Sequence, residues 1–231
     1  MQSFIRFILT IGFIFSLLLF GACDQSVTEN KPGKMVDKPL IKPESVSDKP
    51  IIIAFGDSLT AGFGLTEKES YPYLLQKQLD REGFNYEVQN AGVSGDTSLG
   101  GLERIDWVLG QENVEILILE LGANDLLRAV PVERMKTNLD KIITKAKAKN
   151  VEVLLCGMLA PPTMGKEYQK AYVNSFPDLA SKHKVKFVPF LLDNVALNPK
   201  LNQADGIHPN AEGTRIMTAN IYETLKLMLV K

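Results

Sequence analysis

The stretch Ile51-Ile52-Ile53-Ala54-Phe55-Gly56-Asp57-Ser58-Leu59-Thr60 decides how this chain is read. An apolar, β-branched run stops at Gly-Asp, and a serine follows at once. A short apolar run closed by a turn signal is the pattern of a buried strand. The residue after such a strand stands at the rim of a sheet. In open parallel α/β sheets the rim at the carboxyl ends of the strands is where ligands bind. Ser58 is therefore a candidate nucleophile, and a serine nucleophile needs a base. The chain has two histidines, His183 and His208. His208 lies in Asp205-Gly206-Ile207-His208-Pro209, a polar loop. His183 lies in Ser181-Lys182-His183-Lys184, between charged neighbours that predict an exposed helix end.

Outward from that stretch, strand and helix signals alternate. Ile51–Phe55, Tyr86–Gln89, Ile116–Leu121, Val151–Cys156 and Lys186–Pro189 read as strands, with Ile116–Leu121 a continuous apolar run. Tyr71–Arg81, Leu102–Leu109, Val132–Lys149, Gln169–Lys182 and Ala211–Leu229 read as helices, with Pro177 a candidate kink in the fourth. The third helix carries Met135, Leu139, Ile142, Ile143 and Ala146 on one face and ends in lysines, which suit a helix C-terminus. The run Lys141–Lys149 is then a solvated face. This βαβα order predicts a three-layer α/β/α domain, residues 50–231, around a parallel five-stranded sheet with right-handed crossovers.

Four polar, glycine-bearing loops fall on one edge of that sheet. They are Gly56-Asp57-Ser58-Leu59, Asn90-Ala91-Gly92-Val93-Ser94-Gly95-Asp96-Thr97, Gly122-Ala123-Asn124-Asp125 and Asp205-Gly206-Ile207-His208-Pro209. Acyl transfer needs a nucleophile, a base, an orienter for the base and donors aimed at the developing oxyanion. Ser58, His208 and Asp205 supply the first three. The backbone N–H groups of Ser58 and Gly95 and the side-chain amide of Asn124 supply the donors. Asp57, Asp96 and Asp125 are read as residues that shape their loops. Met158-Leu159-Ala160-Pro161-Pro162-Thr163-Met164-Gly165 follows the fourth strand at the same rim, and Met158, Pro162 and Met164 are candidates for an acyl-pocket wall.

Gly56-Asp57-Ser58-Leu59, Gly95, Gly122-x-Asn124-Asp125 and Asp205-x-x-His208-Pro209 together resemble the sequence blocks of the GDSL/SGNH hydrolases, in order. Gly56–Leu65, Ser94-Gly95-Asp96-Thr97-Ser98 and Asp205–Asn210 resemble its arylesterase, thioesterase I and lysophospholipase L1 branch. The resemblance implies a flavodoxin-like fold and hydrolysis of carboxylic esters or thioesters, lysophospholipids among them, through an acyl-enzyme. It implies a site of Ser58, Gly95, Asn124 and His208, with Asp205 completing the triad. Neither metal nor organic cofactor is expected. Activity should fall as His208 becomes protonated. An O-deacetylase of envelope or extracellular polysaccharide would use the same residues. A lipid-anchored binding module that has lost catalysis is the reading from another class.

The ends of the chain bear on place, not on chemistry. Arg6 precedes an apolar run, Phe7–Phe20, and Gly21-Ala22-Cys23 follows it, which reads as a signal segment over residues 1–22. The cysteine after small residues resembles the lipobox of bacterial lipoproteins, with Phe20 in place of the usual leucine. Cys23 is then the lipidated residue, and the expected location is the cell envelope, on the outer side of a membrane. Asp24 resembles an inner-membrane retention signal. An ordinary signal peptide and a single-span anchor are the alternatives. Residues 23–49 hold the lipidated cysteine and a tether rich in Pro, Lys, Ser and Asp without a periodic apolar face, expected to be disordered. Acylated Cys23 would leave Cys156 without a partner, as a small buried core residue. A net charge of -1 offers no electrostatic footprint for nucleic acid.

Overall fold

In a computed structural model of the chain, residues 48–231 are described. The expectations placed on the leader, Cys23 and the tether up to residue 47 lie outside them. Five strands form one sheet: β1 (Ile51–Gly56), β2 (Glu87–Gly92), β3 (Val114–Glu120), β4 (Glu152–Cys156) and β5 (Lys186–Val188). The order is β2-β1-β3-β4-β5, and every neighbouring pair is parallel. This is the doubly wound, flavodoxin-like order that the family resemblance implies, and the parallel pairing is the one that the alternation of strand and helix signals predicts. Strands covered on both faces have no polar side to present, so β1 and the Ile116–Leu119 stretch of β3 are apolar throughout.

Among the described residues seven α-helices complete the layers: α1 (Ser58–Ala61), α2 (Tyr71–Glu82), α3 (Ser98–Val108), α4 (Ala123–Leu127), α5 (Val132–Ala148), α6 (Lys166–His183) and α7 (Ala211–Leu225). Helix α5 packs between α3 and α6 on one face, and α2 packs with α7 on the other. The predicted stripe of α5 is the buried one: Met135, Leu139, Ile142, Ile143 and Ala146 all face the core. Each such leucine or isoleucine contributes about 1.5–3 kcal/mol by leaving water. Cys156 is buried and free at the end of β4.

Several boundaries differ from the sequence reading, each for a physical reason. Strand β2 runs on to Gly92, because the ladder with β1 stays in register through Gly56 and Gly92. Helix α3 begins at Ser98, where the Thr97 side chain accepts the Gly100 N–H; the glycines 100 and 101 hide the helical signal. Helix α4 occupies what reads as a loop. Helix α7 stops at Leu225, its last buried residue, and the following Leu227 is exposed. Pro177 sits inside α6 on its exposed side without ending it.

Two surface expectations are also corrected. His183 is largely covered, because at the last turn of α6 its ring turns towards α5 and bonds Asp140 Oδ1 at 2.6 Å. The lysine run of α5 is more than a solvated face. Lys145 pairs with Asp106 of α3, Lys147 donates to the His183 carbonyl and Lys149 donates to the Leu109 carbonyl.

Core truncation and surface truncation should separate cleanly. Leu117→Ala, at a position with no exposure, should cost about 2–5 kcal/mol in urea unfolding. Trp107→Ala, at a position 81% exposed, should stay within about 0.5 kcal/mol of the parent.

Candidate functional site

The site begins at the end of β1. Asp57 is the N-cap of α1, and its buried Oδ1 accepts the Leu59 N–H at 3.0 Å. That bond turns the chain sharply and leaves Ser58 as the first helical residue, half-buried at the rim. An N–H in the first turn of a helix has no partner within the helix, so the Ser58 amide is a donor for something else. Gly56 is required here: a Cβ would collide with Thr60 Oγ1 and with the carboxyl group of Glu120.

The last loop brings the base. His208 Nε2 lies 2.9 Å from Ser58 Oγ, across 150 positions of sequence. His208 Nδ1 lies 2.7 Å from Asp205 Oδ2. The other oxygen, Oδ1, accepts the backbone N–H groups of Ile207 and His208, each at 3.0 Å. One carboxylate thus holds both the loop and the ring. A carboxylate can only accept, so Nδ1 carries the hydrogen and Nε2 is left to accept from Ser58 Oγ. The Phe63 ring lies against the imidazole, with centroids 4.7 Å apart. Gln203 sews the two ends together: its Nε2 donates to the carbonyls of Phe63 and Pro209. Asn210 then caps α7 through the N–H groups of Glu212 and Gly213.

Gly95 and Asn124 come from the neighbouring strand ends. Gly95 has φ +82°, a conformation in which a side chain is strained, and its carbonyl accepts from Arg128 Nη2 at 2.7 Å. Its loop is anchored by Asp96, which pairs with Arg104 Nε at 2.8 Å. Arg104 also donates to the Ala91 and Gly56 carbonyls and lies over the Phe55 ring. Asn124 Nδ2 donates to Asp57 Oδ2 at 2.9 Å. An amide nitrogen carries two hydrogens, so one remains free to donate into the site. Asp125 turns the other way and accepts both the N–H and the hydroxyl of Ser98, fixing α4 to α3. Asp57, Asp96 and Asp125 therefore shape their loops.

Ser58, Gly95, Asn124 and His208 line one cavity of about 360 Å³. Its remaining wall is chiefly apolar. Met158 belongs to it, as does its neighbour Leu159. Met164 stands in a single 3₁₀ turn, Pro162–Met164, and does not line the cavity; of Pro162 only the backbone is described. The wall expected from Met164 is made by Leu126 and Leu127 of α4 and by Phe190, Leu192 and Leu197. The last three lie between β5 and α7, a stretch without periodicity to single them out. Among the described residues no group of three or more His, Cys, Asp or Glu side chains is placed to hold a metal ion.

The carboxyl groups of the site are shifted in opposite directions. The hydrogen bond to His208, and then the two backbone N–H groups, pull Asp205 down to about 2. Burial pushes Asp57 up, against the bonds it accepts from Leu59 and Asn124. Burial, with the Asp57 charge beside it, pushes Glu120 well above the ordinary carboxylate range. The reading of Ile116–Leu121 as continuously apolar passes over Glu120, which has no exposure and lies directly under the serine turn. A lone carboxylic acid at the end of an apolar strand is the signal that could have found it.

Residues 54–216 match the model of the GDSL-like lipase/acylhydrolase family. The chain is 38% identical to esterase TesA of Pseudomonas aeruginosa over 77% of its length and 89% of that protein. It is 36% identical to thioesterase 1/protease 1/lysophospholipase L1 of Escherichia coli K12, over 70% of this chain and 76% of that one. The crystal structure of TesA superposes with a TM-score of 0.75, covering 78% of this chain and 99% of that one.

The depressed Asp205 has a consequence for stability. Between its native value near 2 and an unfolded value of ~3.9, the unfolded chain binds the extra proton. The contribution of Asp205 is therefore complete above that range and is lost as pH falls towards 2. The stability difference between the parent and Asp205→Asn, measured by urea unfolding, should shrink steadily from pH 5 to pH 2.

Proposed function

The chain belongs to the GDSL-like lipase/acylhydrolase family and is a carboxylic ester hydrolase, and from that premise we propose that it works through a Ser58-His208-Asp205 triad and an acyl-enzyme. The observation that carries this reading is the unbroken line of contacts from Asp205 Oδ2 to His208 Nδ1 and from His208 Nε2 to Ser58 Oγ.

The steps follow from the contacts. His208 Nε2 takes the hydroxyl proton as Ser58 Oγ attacks the acyl carbon. The imidazolium that forms is held by Asp205, whose low pKa keeps it ionised throughout. The carbonyl oxygen becomes an oxyanion and is met by the N–H groups of Ser58 and Gly95 and by the second amide hydrogen of Asn124. His208 then gives its proton to the leaving alkoxide or thiolate. The alcohol or thiol departs and leaves the acyl group on Ser58. A water molecule takes the leaving group's place, His208 removes its proton, and attack on the acyl carbon releases the carboxylic acid and restores Ser58.

The cavity supports an acyl chain as the group recognised. Its walls of Leu126, Leu127, Leu159, Phe190 and Leu192 offer burial to methylene groups and few partners to a sugar. Each methylene buried contributes about 0.8 kcal/mol. This favours esters, thioesters or lysophospholipids with chains longer than acetyl over an O-deacetylase. The relatives named esterase TesA and thioesterase 1/protease 1/lysophospholipase L1 are consistent with that range. We place the enzyme at the outer side of a bacterial membrane, anchored by lipid on Cys23, on the strength of the apolar run Phe7–Phe20 and Gly21-Ala22-Cys23.

Ser58→Ala should abolish both ester turnover and labelling by a fluorophosphonate probe, and retained labelling would contradict the triad. Asn124→Ala should lower kcat by about 10²- to 10³-fold, the usual cost of one oxyanion donor. Across p-nitrophenyl esters from acetate to decanoate, kcat/KM should rise with chain length; activity confined to acetate would favour the deacetylase. Labelled palmitate should enter the full chain expressed in a bacterium and be lost in Cys23→Ser.

A further inference from the structure

We propose that Glu120 is a positioning residue for the oxyanion site, acting as a neutral carboxylic acid that grips Asp57 from below and so holds Asn124 and Ser58 in place. The proposal rests on the triad reading and extends it to a residue that touches no substrate.

Glu120 ends β3, and no part of it is exposed. Its Oε2 accepts the Asp57 N–H at 3.2 Å and the Thr60 hydroxyl at 2.8 Å. It thus holds both the residue before the nucleophile and the second residue after it. Its Oε1 is buried and accepts from no donor. The Asp57 carboxyl group is its acidic neighbour: the Asp57 N–H bonds Glu120, and the charge of Asp57 pushes the Glu120 carboxyl further up. Two neighbouring buried carboxylates could only repel, since each accepts and neither donates. A proton on Oε1 resolves both facts: the orphaned oxygen becomes a donor, and Asp57 becomes its acceptor.

The surroundings favour that proton on Glu120 over Asp57. The titratable groups that feel Glu120 are Asp57 from the serine turn, Tyr71 from α2, Cys156 from β4 and Tyr172 from α6. None of them brings a positive charge. Asp57 has the better claim to the charge, since it accepts from Leu59 N and Asn124 Nδ2 and feels the field of His208. The pair then carries one negative charge, on the member that orients Asn124. Glu120 supplies Asp57 with a donor from beneath and an acceptor for its own N–H.

Glutamine reproduces a neutral acid in this geometry, with one oxygen to accept and one N–H to donate; alanine reproduces neither. In Glu120→Gln, kcat on a soluble p-nitrophenyl ester should stay within about threefold of the parent. In Glu120→Ala, kcat should fall by about 10- to 100-fold with KM nearly unchanged, the mark of misplaced catalytic groups. The midpoint of the acid limb of kcat/KM should be the same in Glu120→Gln as in the parent, because no charge is removed. A glutamine variant as impaired as the alanine variant would overturn the proposal. So would a fall of about one unit in that midpoint, which is what losing a nearby negative charge would cause. Carbon-13 NMR of glutamate-labelled parent protein decides the same point without any variant. One buried glutamate carboxyl should resonate as the acid at pH 7, and finding every one ionised would contradict it. Ser58→Ala in the same assays tells the two readings apart: if it is inactive while Glu120→Gln fails, the triad stands and only the role of Glu120 is lost.

Discussion

The parallel order of the sheet is the constraint on which the rest depends. With β1 central between β2 and β3, and all three parallel, their carboxyl ends open on one edge. The chain leaves β1 for β2 on one side and reaches β3 on the other, so the order reverses at that point and leaves a crevice. Ser58 follows β1, Gly95 follows β2 and Asn124 follows β3. No single one of these loops holds all three residues. The order of the strands brings them together, and the loop before α7 adds His208.

That crevice is held in shape by polar groups bonded to one another and to the loops. Asp57 is the junction: one oxygen caps the turn that exposes Ser58, and the other orients Asn124. Arg104 and Arg128 hold the Gly95 loop from two sides. Gln203 and the two backbone bonds of Asp205 hold the histidine loop. Buried bonds of this kind are costly to leave half-made, so a change in one is felt by the others. The remaining wall of the cavity has the opposite character, being apolar and drawn largely from segments with little regular structure. Rigid polar catalysis beside an adaptable apolar wall suits an enzyme that must hold one carbonyl in place while accepting various chains.

Much of this was legible in the sequence, and the reasons differ by residue. The strands and the face of α5 announce themselves by hydrophobic run and period. Ser58, Asn124 and His208 could be picked out because each stands in a short polar block just beyond an apolar strand or before a helix. Glu120 was hidden by the very pattern that reveals its strand, since a count of apolar residues passes over one acid among them. Leu126, Leu127 and Leu192 were hidden for another reason: loop spacing does not encode which side chains will converge. Met164 was placed on the wall by sequence nearness to Met158, and a turn carries it away. His183 was judged by its charged neighbours, whereas the helix turns its ring inward to Asp140.

The central claim is that the acyl group passes through Ser58. Rapid acid quench of the enzyme during turnover of a slowly deacylating p-nitrophenyl ester, followed by peptide mass spectrometry, reads this directly. The account predicts a mass increase equal to the acyl group on the peptide containing Ser58. An acyl group on another residue, or steady turnover with no acylated peptide while p-nitrophenol appears in a burst, would contradict it.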